Sequence, residues 1–493
     1  MKRRSFCRSA AAALVVAAFP RPRLLAAAGD VREVVAVGTT GDKVVLRPTD
    51  VDDLRASLRG QLLQPEQQGY DSARRGWNGA FDRRPALIAR CSGTADVIHA
   101  VNFARQHQLL VAVRGGGHSF PGHSTCEGGL LIDLSGMRTI RVDPQARTAR
   151  IDPGVVLGEF DRETQALGLA TTMGTVSQTG AGGLTLGGGF GRISRRFGLA
   201  CDNLIGADLV GADGRLVTTT TSDDPELLWG LRGGGGNFGV VTAFEYRLHA
   251  VAPEMVGGVL VFPFTQPRAL LRSYADFIAG ASDELFVMLD IVPTPNGRIA
   301  AFEVCHSGSR AAAERELAGL RKIAKPSKDA LSPATYVALQ SGIDKDYPAR
   351  RGYYLKSGFV RTITPAVIDT LVDYLDSAPW PRGVASLIQH GGAIARVKPD
   401  ATAYWHRGVS HTILLVGTWD DAADAERSMQ WTRTGWTSLE PLTEGFYVNL
   451  MAPDDPERRV LRTYGANYSR LAALKRKHDP QNLFKLNANI KPA

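Results

Sequence analysis

The chain is poor in cysteine, and none of its cysteines form a Cys-x-x-Cys pair. Five cysteines occur in 493 residues, which gives no support for a cysteine-based metal site. Cys91, Cys126, Cys201 and Cys305 follow the N-terminal segment at wide spacings that identify no disulfide partners. We expect these four thiols to be small buried apolar side chains, and we expect no bound metal.

The chain also lacks an internal repeat, a low-complexity linker and a long apolar run after its N-terminal segment. It therefore contains no candidate membrane span beyond that segment. With 44% hydrophobic and 22% charged residues, the composition is that of a globular protein. The length favours two or more domains.

Positive charge is scarce outside the first 28 residues. The formal net charge is +9, but residues 1–28 contain six basic and no acidic side chains, so +3 remains for the rest. No basic stripe with interleaved aromatic residues stands out elsewhere in the sequence. The charge therefore does not support a nucleic-acid partner.

The N-terminus has the pattern of a twin-arginine signal peptide. Arg3 and Arg4 precede Ser5 and Phe6, an apolar stretch covers 10–19, and three alanines at 26–28 form a small-residue cleavage site. We therefore predict a signal peptide at 1–28, cleaved after Ala28, and a periplasmic or extracellular mature protein. The alternative is a disordered basic tail.

Glycine is concentrated in two loops. An apolar run at 109–113 ends in Arg114, three glycines, His118 and Ser119, and a second glycine-rich run covers 179–191. The apolar run predicts a buried strand. Glycines at its end allow the backbone to approach a bulky anion. Two such loops indicate a clamp on a dinucleotide, and the histidine indicates a cofactor bonded to the protein.

The pattern of apolar residues predicts an α+β fold. In the first half we predict helices and strands that form two small sheets and lack the acidic residue of the Rossmann fingerprint. The predicted strands are 86–89, 110–114, 129–133 and 148–152, and the predicted helices are 94–107 and 156–167.

After residue 251 the sequence predicts one large antiparallel sheet covered by helices. Strand-like runs occur at 257–264, 284–291, 299–306, 383–390, 411–419 and 445–450, with helical segments at 310–323 and 365–377. The tail is predicted as a helix at 464–478 followed by an irregular strand.

The ordered set of motifs resembles a known family. Besides the two loops, it comprises Trp77-Asn78 and segments 85–88, 198–203, 231–242, 464–468, 479–484 and 487–490. Together they resemble the p-cresol methylhydroxylase type of FAD-binding domain and the berberine-bridge-enzyme-like oxidases of the vanillyl-alcohol oxidase superfamily. The bacterial hydroxynicotine-oxidase-like branch is the most similar.

The resemblance implies a domain plan. A two-subdomain FAD-binding domain would cover 45–250 and a substrate-binding domain 251–455. Residues 456–493 would return to the FAD-binding domain.

The resemblance also implies FAD linked through the histidine that matches His118. Members with a second link carry a cysteine where this chain has Val176, so we expect a single covalent bond. The nearby His123 is a rival, although an ordinary loop histidine is the favoured interpretation there. The predicted cofactor-binding residues are Arg114, Gly115, Gly116, Gly117, His118, Ser119, Gly174, Thr175, Thr179, Gly180, Gly183, Gly189, Val240, Val241, Asn487 and Asn489.

Tyr447 and Asn449 are the predicted catalytic residues. If 445–450 is a strand, both side chains lie on one face and the apolar neighbours on the other. Family members carry a matching Tyr-x-Asn, in which the tyrosine helps to take a proton from the substrate hydroxyl. A tyrosine that only binds substrate by a hydrogen bond is the open alternative, because its pKa is near 10 in water.

Three further residues are candidates for the cavity, two of them on a predicted strand of the sheet. They are Lys356, Gln389 and His390, for which a solvent-facing or internally satisfied side chain is the favoured interpretation. Some relatives place a glutamate on this sheet as the base, and no equivalent is identified in this sequence.

The predicted function is that of a secreted FAD-dependent oxidase. It would remove a hydride from an alcohol or amine carbon of a small molecule and reduce oxygen to hydrogen peroxide. Thr179, where relatives have a small residue controlling oxygen access, favours the oxidase. The alternatives are a dehydrogenase with another electron acceptor and a flavin-containing binding protein without turnover, against which the pair Tyr447 and Asn449 argues.

We predict that export requires the twin arginines. Lysine at positions 3 and 4 preserves the charge but removes the pattern that the export machinery reads, so the Arg3→Lys/Arg4→Lys variant should stay inside the cell. Cell fractionation and immunoblotting measure this. The control variant Arg21→Lys/Arg23→Lys lies outside the pattern and should be exported normally. Export of the first variant would contradict this route.

Overall fold

The computed structural model describes residues 33–493, so the predicted signal peptide lies outside the described residues. Within 33–493, no helix is long and apolar enough to cross a membrane. Cys91, Cys126, Cys201 and Cys305 are buried free thiols, as predicted.

The strands lie in several sheets along the chain. They are β1 (Val34–Val37), β2 (Lys43–Leu46), β3 (Gln61–Leu63), β4 (Leu87–Arg90), β5 (Val111–Arg114), β6 (Leu130–Asp133), β7 (Ile140–Asp143), β8 (Thr148–Ile151), β9 (Leu169–Ala170), β10 (Leu204–Val210), β11 (Leu216–Thr220), β12 (Val240–Arg247), β13 (His249–Ala250), β14 (Glu254–Pro263), β15 (Leu285–Thr294), β16 (Gly297–His306), β17 (Lys328–Asp329), β18 (Ser332–Thr335), β19 (Gly352–Val360), β20 (Gly383–Gln389) and β21 (His411–Trp419).

The helices connect and cover these strands. They are α1 (Pro48–Ser57), α2 (Tyr70–Arg74), α3 (Thr94–Gln106), α4 (Leu157–Gln165), α5 (Ala181–Leu186), α6 (Ser194–Phe197), α7 (Pro225–Leu231), α8 (Pro267–Ala279), α9 (Arg310–Leu320), α10 (Tyr336–Gln340), α11 (Pro365–Ser377), α12 (Ala393–Arg396), α13 (Ala425–Leu439), α14 (Glu457–Tyr464) and α15 (Tyr468–His478).

The first half forms two small sheets. The N-terminal sheet has the order β3-β4-β6-β5, and the middle sheet has the order β11-β10-β12-β8-β7. Strands β4, β6 and β5 are parallel, and α3 makes the crossover that parallel strands require. Its buried face, with Val97 and Val101, packs on Leu87 and Val111. The predicted α+β fold is confirmed.

The second half forms the large antiparallel sheet that the sequence predicted. Its order is β17-β14-β16-β15-β20-β21-β19, and β18 also pairs with β14. Alternate residues of each strand face opposite sides. Val287 and Leu289 pack with α8, α9, α11 and α13, whereas Met288 belongs to a second cluster on the opposite face. Helices therefore cover one face of this sheet and leave the other available for a site.

Strand β19 was not predicted, because it shows no alternation. All nine of its residues are buried, so both faces are shielded and the period-2 signal of a half-exposed strand is missing.

The predicted strand at 445–450 is wrong. After an isolated bridge between Phe359 and Glu444, residues Val448–Leu450 form a 3-10 turn. Ser357 Oγ donates to the Leu450 carbonyl, which holds this turn against β19. The side chains nevertheless alternate between two sides of the segment: Phe446 and Val448 pack in one core cluster, and Tyr447 packs in another.

The C-terminal segment packs against the first half of the chain. Lys475 Nζ donates to the carbonyls of Asn237 and Phe484 and to Asp479 Oδ2, at 2.6 to 2.9 Å. Phe484 lies in the same apolar cluster as α3. Residues 479–493, all described, contain no strand, so the irregular strand expected there is absent. The predicted domain boundaries at 45, 251 and 456 stay predictions.

We predict that Asp479→Asn destabilises the fold strongly. The Lys475–Asp479 pair is fully buried, and loss of one partner from a buried pair costs about 3–5 kcal/mol because the remaining charge is uncompensated. The expected result is a lower thermal midpoint in calorimetry or circular dichroism.

A matched control breaks the ion pair between Glu226 and Arg470, whose side chains are 44% exposed. Glu226→Gln should change the free energy of unfolding by about 1 kcal/mol or less. Equal midpoints for Asp479→Asn and the wild type would contradict the prediction.

Candidate active site

A cavity of about 360 Å³ lies between the two glycine loops, the large sheet and the C-terminal part of the chain. Both loops contribute to its wall, as do the start of β12 and the segments around Tyr447 and Asn487. The cavity therefore brings together both glycine loops, the two predicted catalytic residues and one of the C-terminal asparagines.

The two glycine loops touch through their backbones. A Cβ on Gly116 would lie 2.5 Å from Gly180 Cα, and a Cβ on Gly180 would lie 2.6 Å from Gly116 Cα. No side chain fits at such distances, so glycine at both positions is a steric requirement. Gly117 also has a positive φ of 73°, which glycine adopts without strain.

Most of the predicted site residues line this cavity. These are Gly115, Gly116, Gly117, His118, Ser119, Gly174, Thr175, Thr179, Gly180, Gly183, Val240, Val241, Tyr447, Asn449 and Asn487.

Arg114, Gly189 and Asn489 lie outside the lining. The buried side chain of Arg114 donates to the carbonyls of Ala73, Arg74 and Ser124, so it anchors the first loop to α2.

His118 lies in a stack of rings. Its imidazole is 3.9 Å from the Trp77 ring, centroid to centroid, and Trp77 is 4.2 Å from the Tyr353 ring. Its Nε2 is buried and has no hydrogen-bond partner among residues 33–493. Burial lowers the pKa of His118 to about 4, so the imidazole is neutral at pH 7.

The rival His123 also lines the cavity. Its Nε2 is likewise buried, with no partner in the described part of the chain. Burial lowers the pKa of His123 to about 4. Both histidines thus present a neutral ring to one cavity, and the ring stack around His118 distinguishes them.

The cavity has the features that a dinucleotide requires. Gly183 and Gly236 line the cavity. A Cβ added at either glycine would meet no described atom within 4 Å, so the space beside their backbone is open to a ligand. Asn487 donates to the Gly236 carbonyl while its buried Oδ1 is left without a partner in the region that the structure describes. Open glycine backbone and unsatisfied polar atoms fit a ligand with phosphates and a hydrogen-bonding ring system.

Tyr447 and Asn449 form a hydrogen-bonded pair at this cavity. Asn449 Nδ2 donates to the Tyr447 hydroxyl at 2.7 Å and to the Leu184 carbonyl at 3.0 Å. The Gly189 amide donates to the same hydroxyl at 2.9 Å. Gly189 therefore acts on the site through Tyr447 and not as part of the cavity wall.

The hydroxyl of Tyr447 is subject to opposing effects. Burial raises the pKa of Tyr447 above its usual value, whereas the hydrogen bonds from Asn449 and Gly189 lower it, and burial dominates. The phenol is therefore protonated at neutral pH. Two donors on its oxygen are nevertheless the arrangement that stabilises a phenolate.

Lys356 and Gln389 face away from the cavity. Lys356 Nζ pairs with Asp454 and Asp455 at 2.9 and 2.7 Å. The amide of Val287 donates to Gln389 Oε1. Lys356 is therefore internally satisfied, as the favoured interpretation has it, whereas the buried Nε2 of Gln389 has no partner among residues 33–493.

His390 lies beside the cavity. Its Nε2 is 2.6 Å from Thr412 Oγ1, and its ring packs edge-on against Phe190 at 4.8 Å. Phe190 itself lines the cavity. Burial lowers the pKa of His390 to about 3, so the ring is neutral at pH 7.

The sequence analysis did not identify the sheet wall of the cavity. Its residues come from four strands of the large sheet: Met288, Leu355, Ser386, Ile388, Leu414 and Val416. These strands are largely buried on both faces, so no contrast between a polar and an apolar face marked the cavity side. The register of β15, β20 and β21, which brings these positions into one surface, is a tertiary property.

Comparison with known proteins agrees with this arrangement. Residues 85–220 match the family described as FAD binding domain, and residues 446–491 match the family described as berberine and berberine like. An FAD-linked oxidoreductase of Dictyostelium discoideum is 34% identical over 449 residues, which cover 90% of this chain and 97% of that protein.

Solved structures share the fold. The crystal structure of 6-hydroxy-D-nicotine oxidase from Arthrobacter nicotinovorans has a TM-score of 0.83 and 30% identity, covering 89% of this chain and 99% of that one. Glucooligosaccharide oxidase from Acremonium strictum, described with a 6-S-cysteinyl, 8α-N1-histidyl FAD, has a TM-score of 0.82 and 24% identity, covering 90% and 99%.

The extent of these matches shows what the protein is. An FAD-binding pattern and a berberine-like pattern occur in one chain, and relatives align over nearly their full length. The chain belongs to the berberine-bridge-enzyme-like FAD-linked oxidases of the vanillyl-alcohol oxidase superfamily.

Proposed function

We propose that this enzyme is an exported oxidase of small molecules with FAD bound covalently through His118. It removes a hydride from an alcohol or amine carbon and delivers the electrons to oxygen. The observation that carries the proposal is the Tyr447–Asn449 pair, which faces the same cavity as His118 and both glycine loops. The twin-arginine pattern at Arg3 and Arg4 supports export, because that route carries folded proteins with their cofactor in place.

Residues of both loops would hold the cofactor. Amides of Gly115, Gly116 and Gly117 are suited to a pyrophosphate, since successive glycine N–H groups form anion-binding concavities. When bound, FAD supplies the two-electron acceptor for the hydride, and oxygen then takes both electrons to give hydrogen peroxide.

Two residues support a single covalent link. His118 offers a neutral ring nitrogen, Nε2, that no described protein group engages, and a neutral nitrogen has the lone pair that bond formation needs. Val176 also lines the cavity. Glucooligosaccharide oxidase has a cysteinyl link in addition to its histidyl link. A valine side chain cannot form such a thioether.

Tyr447 would accept the proton that the substrate hydroxyl or amine loses. As the hydride leaves the carbon, the O–H or N–H bond of the substrate breaks and its proton must reach a protein group. The phenol first loses its own proton to solvent, and the phenolate, with Asn449 and Gly189 as donors, would then take the proton of the substrate. Asn449 and Gly189 hold the phenol in place and support negative charge on its oxygen.

Peroxide release tests the electron acceptor. A panel of alcohols and amines, monitored for flavin bleaching without oxygen and for hydrogen peroxide with oxygen, separates the possible activities. Bleaching with rapid peroxide formation supports the oxidase. Bleaching without peroxide indicates the dehydrogenase, and no bleaching by any compound indicates a binding protein.

We predict that the flavin stays attached after acid precipitation of the wild type and is released from His118→Ala. A covalent bond survives denaturation, whereas hydrogen bonds and packing do not. The measurement is flavin absorbance in the pellet and the supernatant, with mass spectrometry of the flavin-bearing peptide.

His123→Ala is the matched control, since His123 also presents an unpartnered Nε2 to the cavity. It should retain its flavin in the pellet. Release from His123→Ala and retention in His118→Ala would transfer the assignment to His123, and a cysteinyl link would contradict the role given to Val176.

We predict that Tyr447→Phe slows flavin reduction by substrate about 10²–10⁴-fold, the usual effect of removing an acid–base group. Substrate binding should change far less, because only a hydroxyl is lost. Stopped-flow mixing without oxygen isolates this step.

Tyr404→Phe is the matched control. Tyr404 is a buried neighbour with its ring 6.4 Å from that of Tyr447, and it does not line the cavity. Loss of the Tyr404 hydroxyl should leave the rate of flavin reduction within a few-fold of the wild-type rate. The same small effect in Tyr447→Phe would reduce Tyr447 to a binding residue.

A further inference from the structure

The sheet wall of the cavity is apolar except for one hydroxyl. Among the described residues of the large sheet that line the cavity, Ser386 is the polar one, and Met288, Ile388, Leu414 and Val416 surround it. Ser386 Oγ donates to Asp290 Oδ1 at 2.5 Å. Neither residue has a role in the proposed proton transfer.

Asp290 shares the cavity face of the sheet. In the register of β15 and β20, Met288 pairs with Ile388 and Asp290 pairs with Ser386. Residues two apart in a strand point to the same side, so the carboxyl stands beside the wall that Met288 helps to form. Asp290 retains accessible surface, and Oδ2 receives no hydrogen bond from any described residue.

The groups around Asp290 are acidic. Glu303 lies on the adjacent strand β16 and pairs with Met288 in register, which places it on the same face. Its Oε2 is buried without a partner within residues 33–493. Asp346 and Tyr347, in the loop after α10, interact electrostatically with Asp290.

The nearby cation is already engaged. Arg192 forms an ion pair with Glu303 and donates to the Thr175 carbonyl and to Gln340 Oε1. Asp290 has no ion-pair partner in the described chain. Burial and the charges of Glu303 and Asp346 raise the pKa of Asp290 to about 7. An enclosed carboxylate without a cation is unfavourable, and a bound cation would relieve that penalty.

We propose that Asp290 and Ser386 form the recognition point for a substrate that combines an apolar body with a protonated amine. The ammonium donates to Asp290 Oδ2 and to the Ser386 oxygen, and the apolar body packs on Met288, Ile388 and Leu414. The inference rests on the proposed function, because it names the substrate class of the same cavity. The anchored nitrogen is separate from the carbon that loses the hydride, since an ammonium has no lone pair to support that loss.

Calorimetric titration of the flavin-loaded protein with two matched ligands tests the proposal. The probes are benzamidinium, a cation with N–H donors that stays charged over the tested pH range and has no oxidisable α C–H, and benzamide, a neutral compound of similar shape. At pH 8.5 the wild type should bind the cation about tenfold more tightly, as a charge-assisted contact implies. Asp290→Asn should remove this preference at constant shape, and Ser386→Ala should reduce it.

Asp346→Asn is the matched control, because it removes one nearby acidic charge at an exposed position. It should preserve most of the preference. If Asp290→Asn and Asp346→Asn lose the preference for the cation equally, the summed negative charge of this region attracts the cation. That result would overturn the proposed contact with Asp290. Equal binding of both probes by the wild type, or no measurable binding of the cation, would also overturn the proposal.

The preference for the cationic probe should increase as the pH rises. A raised pKa means that Asp290 is protonated below about pH 7 and charged above it, so cation affinity should rise with pH through this range and stay flat in Asp290→Asn. A pH-independent preference would contradict the assignment. Because binding is measured without turnover, failure of the oxidase activity and failure of this inference are separate results.

Discussion

The backbone contact between Gly116 and Gly180 is the constraint on which the rest of the site depends. At 2.5 to 2.6 Å from a hypothetical Cβ to the opposite Cα, the two loops leave no room for any side chain. One loop follows β5 of the N-terminal sheet, and the other precedes α5. Their contact joins the two small sheets at one point and places His118 and the second loop on a common cavity.

The same closeness extends to Tyr447 and Asn449, the proposed catalytic pair. A side chain at Gly187 would collide with Asn449, and one at Gly188 would collide with Tyr404. The Gly189 amide is thereby free to donate to Tyr447. The second glycine run therefore serves both the cofactor side and the substrate side of the cavity, which explains why it is so long.

The large sheet supplies chemistry of a different kind. Its helix-covered face holds the apolar core, and the part of its opposite face that lines the cavity is apolar apart from Ser386, which donates to Asp290. Reaction groups on loops and turns thus face recognition groups on a rigid sheet. Under the two proposals, the substrate would be selected by residues that take no part in the proton transfer.

The sequence by itself determined the α+β class, the two glycine loops and the buried state of the cysteines. These follow from local signals: glycine where backbone must approach closely, and apolar periodicity where one face is buried. The family resemblance supplied most of the site-residue predictions, which stay predictions although most of these residues line the cavity. Tertiary structure decided the rest. The turn at Val448–Leu450, the fully buried β19 and the anchoring role of Arg114 depend on partners far along the chain. Asp290 stands on the cavity side of the sheet, beside Ser386, only because of the strand register, and no local pattern encodes a register between distant strands.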